Sequence, residues 1–215
     1  MRRFPIFVFL TALYLPTVAP SQHAAAPAGQ NTRDSAPSSA AEDSVYNISA
    51  RSSALKDTLG EKVLELIGNV RIVHGNVTIT ANRGFQYRNR RVSHLLGNVT
   101  ITQESLRMEG GEGDYYRFDD RATLWSNVRI IDRDWNVDCD RALFYRKSGK
   151  AWLMGNVTAY DSVTTLVADT IIYDRNRAIA EAFGRVTITN ATEGFTVSGR
   201  HGFYYKDTQQ GLIDQ

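Results

Sequence analysis

The densest group of chemically capable side chains is four carboxylates, Asp132, Asp134, Asp138 and Asp140, in the segment DRDWNVDCD. Oxygen ligands at such spacing are the raw material of a calcium loop. The turn glycine and the terminal glutamate of an EF-hand are missing, so solvated carboxylates around a turn are the better reading. Cys139, the single cysteine, lies in the same segment. A thiol nucleophile needs a basic partner and none is suggested, so a small buried core residue is expected there. One cysteine also excludes a disulfide framework and a cysteine-rich metal site. His23 falls in an N-terminal tail, while His74, His94 and His201 sit at unrelated offsets without metal-ligand spacing. No catalytic residue, metal or cofactor is therefore expected. Asn47, Asn76, Asn98, Asn156 and Asn190 fit the glycosylation sequon, but three of them belong to a recurring NVT string.

Cations gather in polar segments: Arg88, Arg90 and Arg91; Arg117 and Arg121; Arg146, Lys147 and Lys150; Arg175 and Arg177. If these segments stack, Arg88, Arg91, Arg117, Arg146 and Arg175 form a basic rim able to meet phosphates or carboxylates. Asp119, Asp120 and Asp174 dilute that rim, and a set of solvated turns is the plainer alternative. With a net charge of +2 and a pI near 8.7, no polyanion such as nucleic acid is implied as a partner.

The NVT string leads to the element that positions everything else. LIGNVRIV, LLGNVTIT, WSNVRII, MGNVTAY and FGRVTIT place Gly68, Gly97, Ser126, Gly155 and Gly184 at intervals of 29 residues. Four equal intervals mark an internal repeat. Between Leu64 and Leu212 there is no proline, and Val, Ile, Thr, Tyr and Phe alternate with polar residues, which reads as all β. Counting in twos, one face carries Leu66, Val70 and Ile72; then Leu95, Val99 and Ile101; then Leu124, Val128 and Ile130. Leu153, Val157 and Ala159 follow, and Ala182, Val186 and Ile188 close the series. The phase passes through the glycine unchanged. A two-residue hairpin turn would shift it and would turn Glu65, His94, Thr123 and Glu181 inward. Gly-Asn is thus expected to bend one long strand, using the freedom of glycine and asparagine at unusual φ.

The second half of each repeat alternates as well. Ile79, Met108, Val137, Leu166 and Phe195 correspond, as do Ala81, Gly110, Cys139, Ala168 and Val197. Further along, Phe85 and Tyr87 match Leu143 and Tyr145, and less closely Phe203 and Tyr205. Each repeat is an up-and-down strand pair. Eleven extended residues span about 36 Å, long enough for a midway bend to let one strand serve two sheets. The apolar columns either fill a core or line an apolar trough between splayed sheets, and patterning alone permits both. Trp125, Trp152 and Met154 lie on the opposite face, where they cover a second core layer or mark a partner surface.

The first 50 residues differ. Arg2 and Arg3, the apolar run Phe4–Ala19 and the small residues after it fit a secretory signal peptide over 1–21, cleaved after Ser21, with Ala28 as second choice. An uncleaved anchor would need about 20 apolar residues, and this shorter run carries Pro5 and Pro16. Residues 22–55, rich in Ala, Ser and Pro, read as a disordered linker, and 56–215 as the β domain.

The pattern Leu95-Leu96-Gly97-Asn98-Val99-Thr100-Ile101 resembles the OstA-like (LptA) family, which includes the periplasmic lipopolysaccharide-transport protein LptA and the N-terminal module of LptD. So do Ala81-Asn82 with Tyr87, Cys139-Asp140 with Tyr145, and Ala168-Asp169 with Tyr173, where the tyrosine slips by one place. Ser126 and Arg185 depart from the Gly-Asn motif. The resemblance implies a repetitive antiparallel β jelly roll of two splayed sheets in a V, in the periplasm, without catalysis or cofactor. It implies acyl chains of lipopolysaccharide (lipid A) in a trough lined by the residues above. It also implies bridging of inner- and outer-membrane components by end-to-end strand pairing with Lpt-type proteins or with itself. The expected pairing edges are Val63–Val73 and Phe195–Tyr205. A secreted β-repeat scaffold without lipid is the alternative. A carbohydrate-active β-solenoid enzyme fits worst, because the inward positions are apolar.

Overall fold

The computed structural model describes residues 46–58 and 60–214. The expected signal peptide and the linker up to residue 45 lie outside them. The strands are β1 (Tyr46–Ser49), β2 (Ser52–Thr58), β3 (Glu61–His74), β4 (Val77–Tyr87), β5 (Val92–Gln103), β6 (Leu106–Tyr116) and β7 (Arg121–Asp132). They continue with β8 (Trp135–Tyr145), β9 (Lys150–Tyr160), β10 (Thr164–Asp174), β11 (Ile179–Asn190), β12 (Phe195–Tyr205) and β13 (Gln210–Asp214). All thirteen form one antiparallel sheet in which β3 to β13 follow chain order. The chain is all-β, a jelly roll made by one long meander.

The expected linker ends earlier than residue 55, because β1 and β2 both pair with β3. Ser49 faces Arg71, Ser52 faces Ile67, and Arg51 N donates to Gly68 O at 2.7 Å across the break. Val63–Val73 is consequently not an edge. Among the described residues the free edges are β1 with β2 on one side, and β13 with the uncovered part of β12 on the other.

Each repeat glycine does bend a continuous strand. Gly97 (φ 75°) and Asn98 (φ 51°) are both left-handed, and together they oppose one residue, Asn82, between the pairs Thr80–Thr100 and Arg83–Leu96. This is a β-bulge, two residues against one. The same shift recurs at Gly68-Asn69, Ser126-Asn127, Gly155-Asn156 and Gly184-Arg185. Glycine is needed for a second reason: a Cβ at Gly97 would lie 2.8 Å from Asn82 Nδ2, and one at Gly155 would collide with the Asp140 carboxylate. Ser126, left-handed at φ 67°, escapes because Gly111 stands where Gly97, Gly155 and Gly184 meet Asn82, Asp140 and Asp169. Arg185 replaces asparagine by bonding Asp169 instead, Nε to Oδ1 at 2.9 Å.

The bulge has a consequence that alternation within one strand does not reveal. Two against one moves the even-numbered strands out of phase beyond the bend. In β4, Ala81 is buried, Asn82 and Arg83 are exposed, and Gly84 and Gln86 are buried again. The inward column is therefore Gln86, Tyr115, Phe144, Tyr173 and Tyr204, not Phe85, Tyr87, Leu143 and Tyr145, which are half-buried on the outer face. The one-place slip of Tyr173 relative to Tyr87 and Tyr145 puts it in the inward column while they lie outside.

Inward residues complement one another in size. Leu95 pairs with Gly84 and Gly113, Leu124 with Gly113 and Ala142, and Leu153 with Ala142 and Ile171. Where the odd strand has the small Ala182, its neighbour is the large Ile171. A Cβ on Gly113 would stand 2.6 Å from Leu124 Cδ2, so the glycine makes room for the leucine. The turns at 88–91, 117–120, 146–149 and 175–178 are locked in a row. Arg117 N, Arg146 N, Arg175 N and Lys206 N donate to Arg91 O, Asp120 O, Gly149 O and Ala178 O, at 2.9–3.1 Å.

Because every strand bends at its midpoint, the sheet folds into two leaves, and residues far apart in sequence meet across them. Tyr115 OH lies 2.5 Å from His74 Nδ1. Arg175 Nε donates to Asp132 Oδ2 at 2.9 Å, and Tyr204 packs on Trp135 with ring centres 5.3 Å apart. Burying the inner columns against each other, at about 25 cal/mol per Å² of apolar surface, is what holds the leaves together.

Candidate functional site

The buried apolar side chains between the leaves form one continuous cluster. Of the expected trough residues, Leu66, Val70, Ile72, Ile79, Leu95, Val99 and Ile101 are buried, none above 3% exposure. Met108, Leu124, Val128, Leu153, Val157, Leu166, Val186 and Ile188 are equally enclosed, Ile130 is 6% exposed, and Val137 is partly buried against the same cluster. Phe195 and Val197 are not inside: they are 43% and 46% exposed. The reason is topological. β13 pairs only with His201–Tyr205, so among the described residues the first half of β12 has no neighbour on its outer side.

The interior is mostly filled by its own side chains. Among the described residues, an apolar cavity of about 50 Å³ lies in the half of the roll formed by β6 to β12. Met108, Ile130, Val137, Leu153 and Ile171 line it, with Phe144 and Tyr173 toward the turns. Burial pushes the Tyr173 hydroxyl up to about 12, so it stays protonated. Ala151 and Ala180 line it from the leaf before the bends and Ala159 from the leaf after them. Arg175, Lys206 and Asp132 also line the cavity. Both cations are tied across the leaves, Arg175 to Asp132 and Lys206 Nζ to Asp134 Oδ1 at 2.8 Å. Trp135 lines the cavity too, and its Nε1 is buried without a hydrogen-bond partner. The other end of the interior closes on a polar cluster. There Asp120, 4% exposed, receives Arg146 at 2.9 Å and Lys147 at 3.0 Å, with His74 at 3.5 Å.

The rim arginines all lie in the turns at one end of the strands. Arg88, Arg91 and Arg117 are exposed; Arg117 stacks over Tyr46 at 4.1 Å and Arg91 over Phe118 at 5.6 Å. Arg146 and Arg175 are half-buried and neutralised by Asp120 and Asp132. The rim is accordingly a broken stripe. The four aspartates of the 132–140 segment are dispersed: Asp132 and Asp134 hold Arg175 and Lys206, Asp138 accepts from Tyr160 at 3.4 Å, and Asp140 from Asn156 at 3.0 Å. Among the described residues no group of metal-ligating side chains converges. Cys139 is buried, and burial pushes its thiol up to about 12. His94 and His201 pair with Asp114 and Glu181, at 2.8 and 3.0 Å.

Trp125, Trp152 and Met154 do not cover a second core layer. One sheet wrapped on itself encloses only its inner face, and these three are half-buried on the outer face, Trp125 donating to Glu112 at 3.0 Å. Missed from sequence were Tyr115, Phe144, Tyr173 and Tyr204. Tyr115-Tyr116, Phe144-Tyr145 and Tyr204-Tyr205 are adjacent aromatics, so composition does not say which member points inward; the count across the bulge does.

A search of curated proteins finds no match. Among solved structures the chain is similar to the crystal structure of LptH, the LptA homologous periplasmic component of the lipopolysaccharide transport device from Pseudomonas aeruginosa. The two share 19% identity, with 47% of this chain and 76% of that chain covered and a TM-score of 0.42. A family model, LptA/(LptD N-terminal domain) LPS transport protein, matches residues 47–179, well over half of the chain. By that match, this chain belongs to the family of LptA and the LptD N-terminal domain, the lipopolysaccharide transport proteins.

Proposed function

We propose that the chain is a periplasmic lipopolysaccharide carrier that holds acyl chains between its two leaves and docks to other Lpt-type proteins, or to itself, by strand pairing. It performs no catalytic step. The observation that carries the reading is the apolar interior, whose aliphatic columns run from β3 to β11 through all five repeats, broken only by Ala159 and Ala182. Each buried methylene contributes about 0.8 kcal/mol, so a chain of a dozen carbons has about 10 kcal/mol available to offset ordering and opening. On the measure by which one water needs 10–15 Å³, a 50 Å³ cavity accommodates only a few groups of that size. Lipid uptake must therefore part the leaves. The small cavity favours the second reading, a β scaffold with a filled interior.

Co-elution with fluorescent lipopolysaccharide tests the proposal, with Val128→Asp and Leu153→Asp expected to abolish it. Because a buried charge can unfold the roll, a photo-crosslinking p-benzoylphenylalanine in place of Phe144, inside, is compared with one in place of Trp152, outside. Crosslinks to lipopolysaccharide from the inner position support the carrier. Crosslinks from the outer position alone, or none, support the scaffold.

A further inference from the structure

Four of the five repeats place isoleucine at one inward position: Ile72, Ile101, Ile130 and Ile188. The fourth repeat has Ala159. In the sheet Ala159 pairs with Val137 on one side and Leu166 on the other, and neither is larger than the Ile79 and Met108 that face isoleucines in the other repeats. The interior cavity lies at this spot. Close packing elsewhere is strict enough that glycines sit where leucines need room, so a void beside Ala159 is a departure that a filled scaffold does not require.

The polar groups around this void share a pattern. Arg175 and Lys206 line it, each balanced by an aspartate from the opposite leaf rather than from its own turn. Trp135 Nε1 is buried with no acceptor, an arrangement that costs free energy unless something supplies one. Apolar walls, an orphaned donor and two exchangeable cations together match an amphiphile with an acyl chain, a carbonyl near its polar end and an anionic group.

Building on the carrier reading above, we infer that Ala159 sets the width of a discrete acyl-chain pocket, with Trp135 Nε1 donating to the ester or amide carbonyl of the chain. Lipid first enters between the leaves at β7–β12, not along the whole length of the interior. Arg175 and Lys206 release Asp132 and Asp134 as the anionic group takes their place. The half of the roll near His74 and Asp120 stays closed, because its seam is polar and satisfied.

The experiment titrates fluorescent lipopolysaccharide against the full-length wild-type chain and its Ala159→Val, Ala159→Ile and Trp135→Phe variants, with thermal unfolding measured on each. Filling the pocket is expected to weaken binding in the order Ala, Val, Ile, by at least tenfold for Ile, while the melting temperature stays level or rises. Trp135→Phe keeps an aromatic side chain and removes the unpaired donor, so binding falls roughly fivefold, the worth of about one hydrogen bond, while the melting temperature reports separately the indole packing that is lost. If wild type binds and every variant binds equally, this inference is overturned and the carrier reading stands. If the Ala159 variants lose binding only by unfolding, an unchanged Trp135→Phe affinity overturns it. If wild type does not bind, the carrier reading itself falls, and this one with it.

Discussion

The pairing of Ser126 with Gly111 amounts to a natural experiment that can be moved one repeat along the chain. In the next repeat the same two places hold Gly155 and Asp140. Gly155→Ser puts a Cβ on a residue at φ 77°, which costs about 1–2 kcal/mol. That Cβ also collides with the Asp140 carboxylate, so Asp140 must swing away from Asn156 Nδ2, now 3.0 Å distant, at a further cost of about 1–1.5 kcal/mol. The single variant should lose about 2–3 kcal/mol. Asp140→Gly alone loses the hydrogen bond and adds backbone freedom, about 1–2 kcal/mol. The double variant rebuilds the arrangement already present at 111 and 126, so the collision disappears and the two costs do not add. A favourable coupling of about 1–1.5 kcal/mol is expected. Urea unfolding followed by circular dichroism reads it directly: at a slope of about 2 kcal/mol per molar, Gly155→Ser lowers the midpoint by about 1–1.5 M. Midpoint shifts that simply sum, within about 0.5 kcal/mol, would refute the claim that the small residue changes strands to keep the bulge.

Two further outcomes follow from individual side chains. Cys139 should resist an alkylating reagent at pH 8 in the folded chain and react once denaturant is added, since burial keeps it a neutral thiol; rapid labelling of native protein would mean the interior is open there. The Asp134 carboxyl is held below its ordinary value by Lys206. Its folded value being depressed, its contribution is complete above the unfolded value near 3.8 and disappears as pH falls through the folded value. The stability gap between wild type and Lys206→Met, under about 1 kcal/mol with Asp134 largely exposed, should be present at pH 6 and shrink as pH falls below the ordinary carboxylate range. A gap unchanged across that range would mean Lys206 acts through its contact with Trp135 instead.

The period of 29, the bend at each Gly-Asn, and the inward Leu, Val and Ile of the odd strands were all legible in the sequence. These are local properties: alternation is set by neighbours two residues apart, and left-handed φ by the residue itself. Ala159 was visible as a break in an isoleucine column, but not as a void, because a void depends on what Val137 and Leu166 do beside it. Phe195 and Val197 alternate like the inward residues, but the register of their strand is two places along from the count of 29, Val197 rather than Phe195 facing Ile188, and both are exposed because burial needs a neighbouring strand and β13 is too short to provide one.

Only the tertiary structure decided the rest. The phase of β4, β6, β8, β10 and β12 beyond the bend is a count of two residues against one between strands, and no single strand carries that information. The meeting of Arg175 with Asp132, 43 residues apart, depends on how far the folded sheet closes. Closure is settled by the packed volumes of both leaves together. For that reason the sequence by itself determined an apolar interior, and the fold alone decided how little of it stays empty and where.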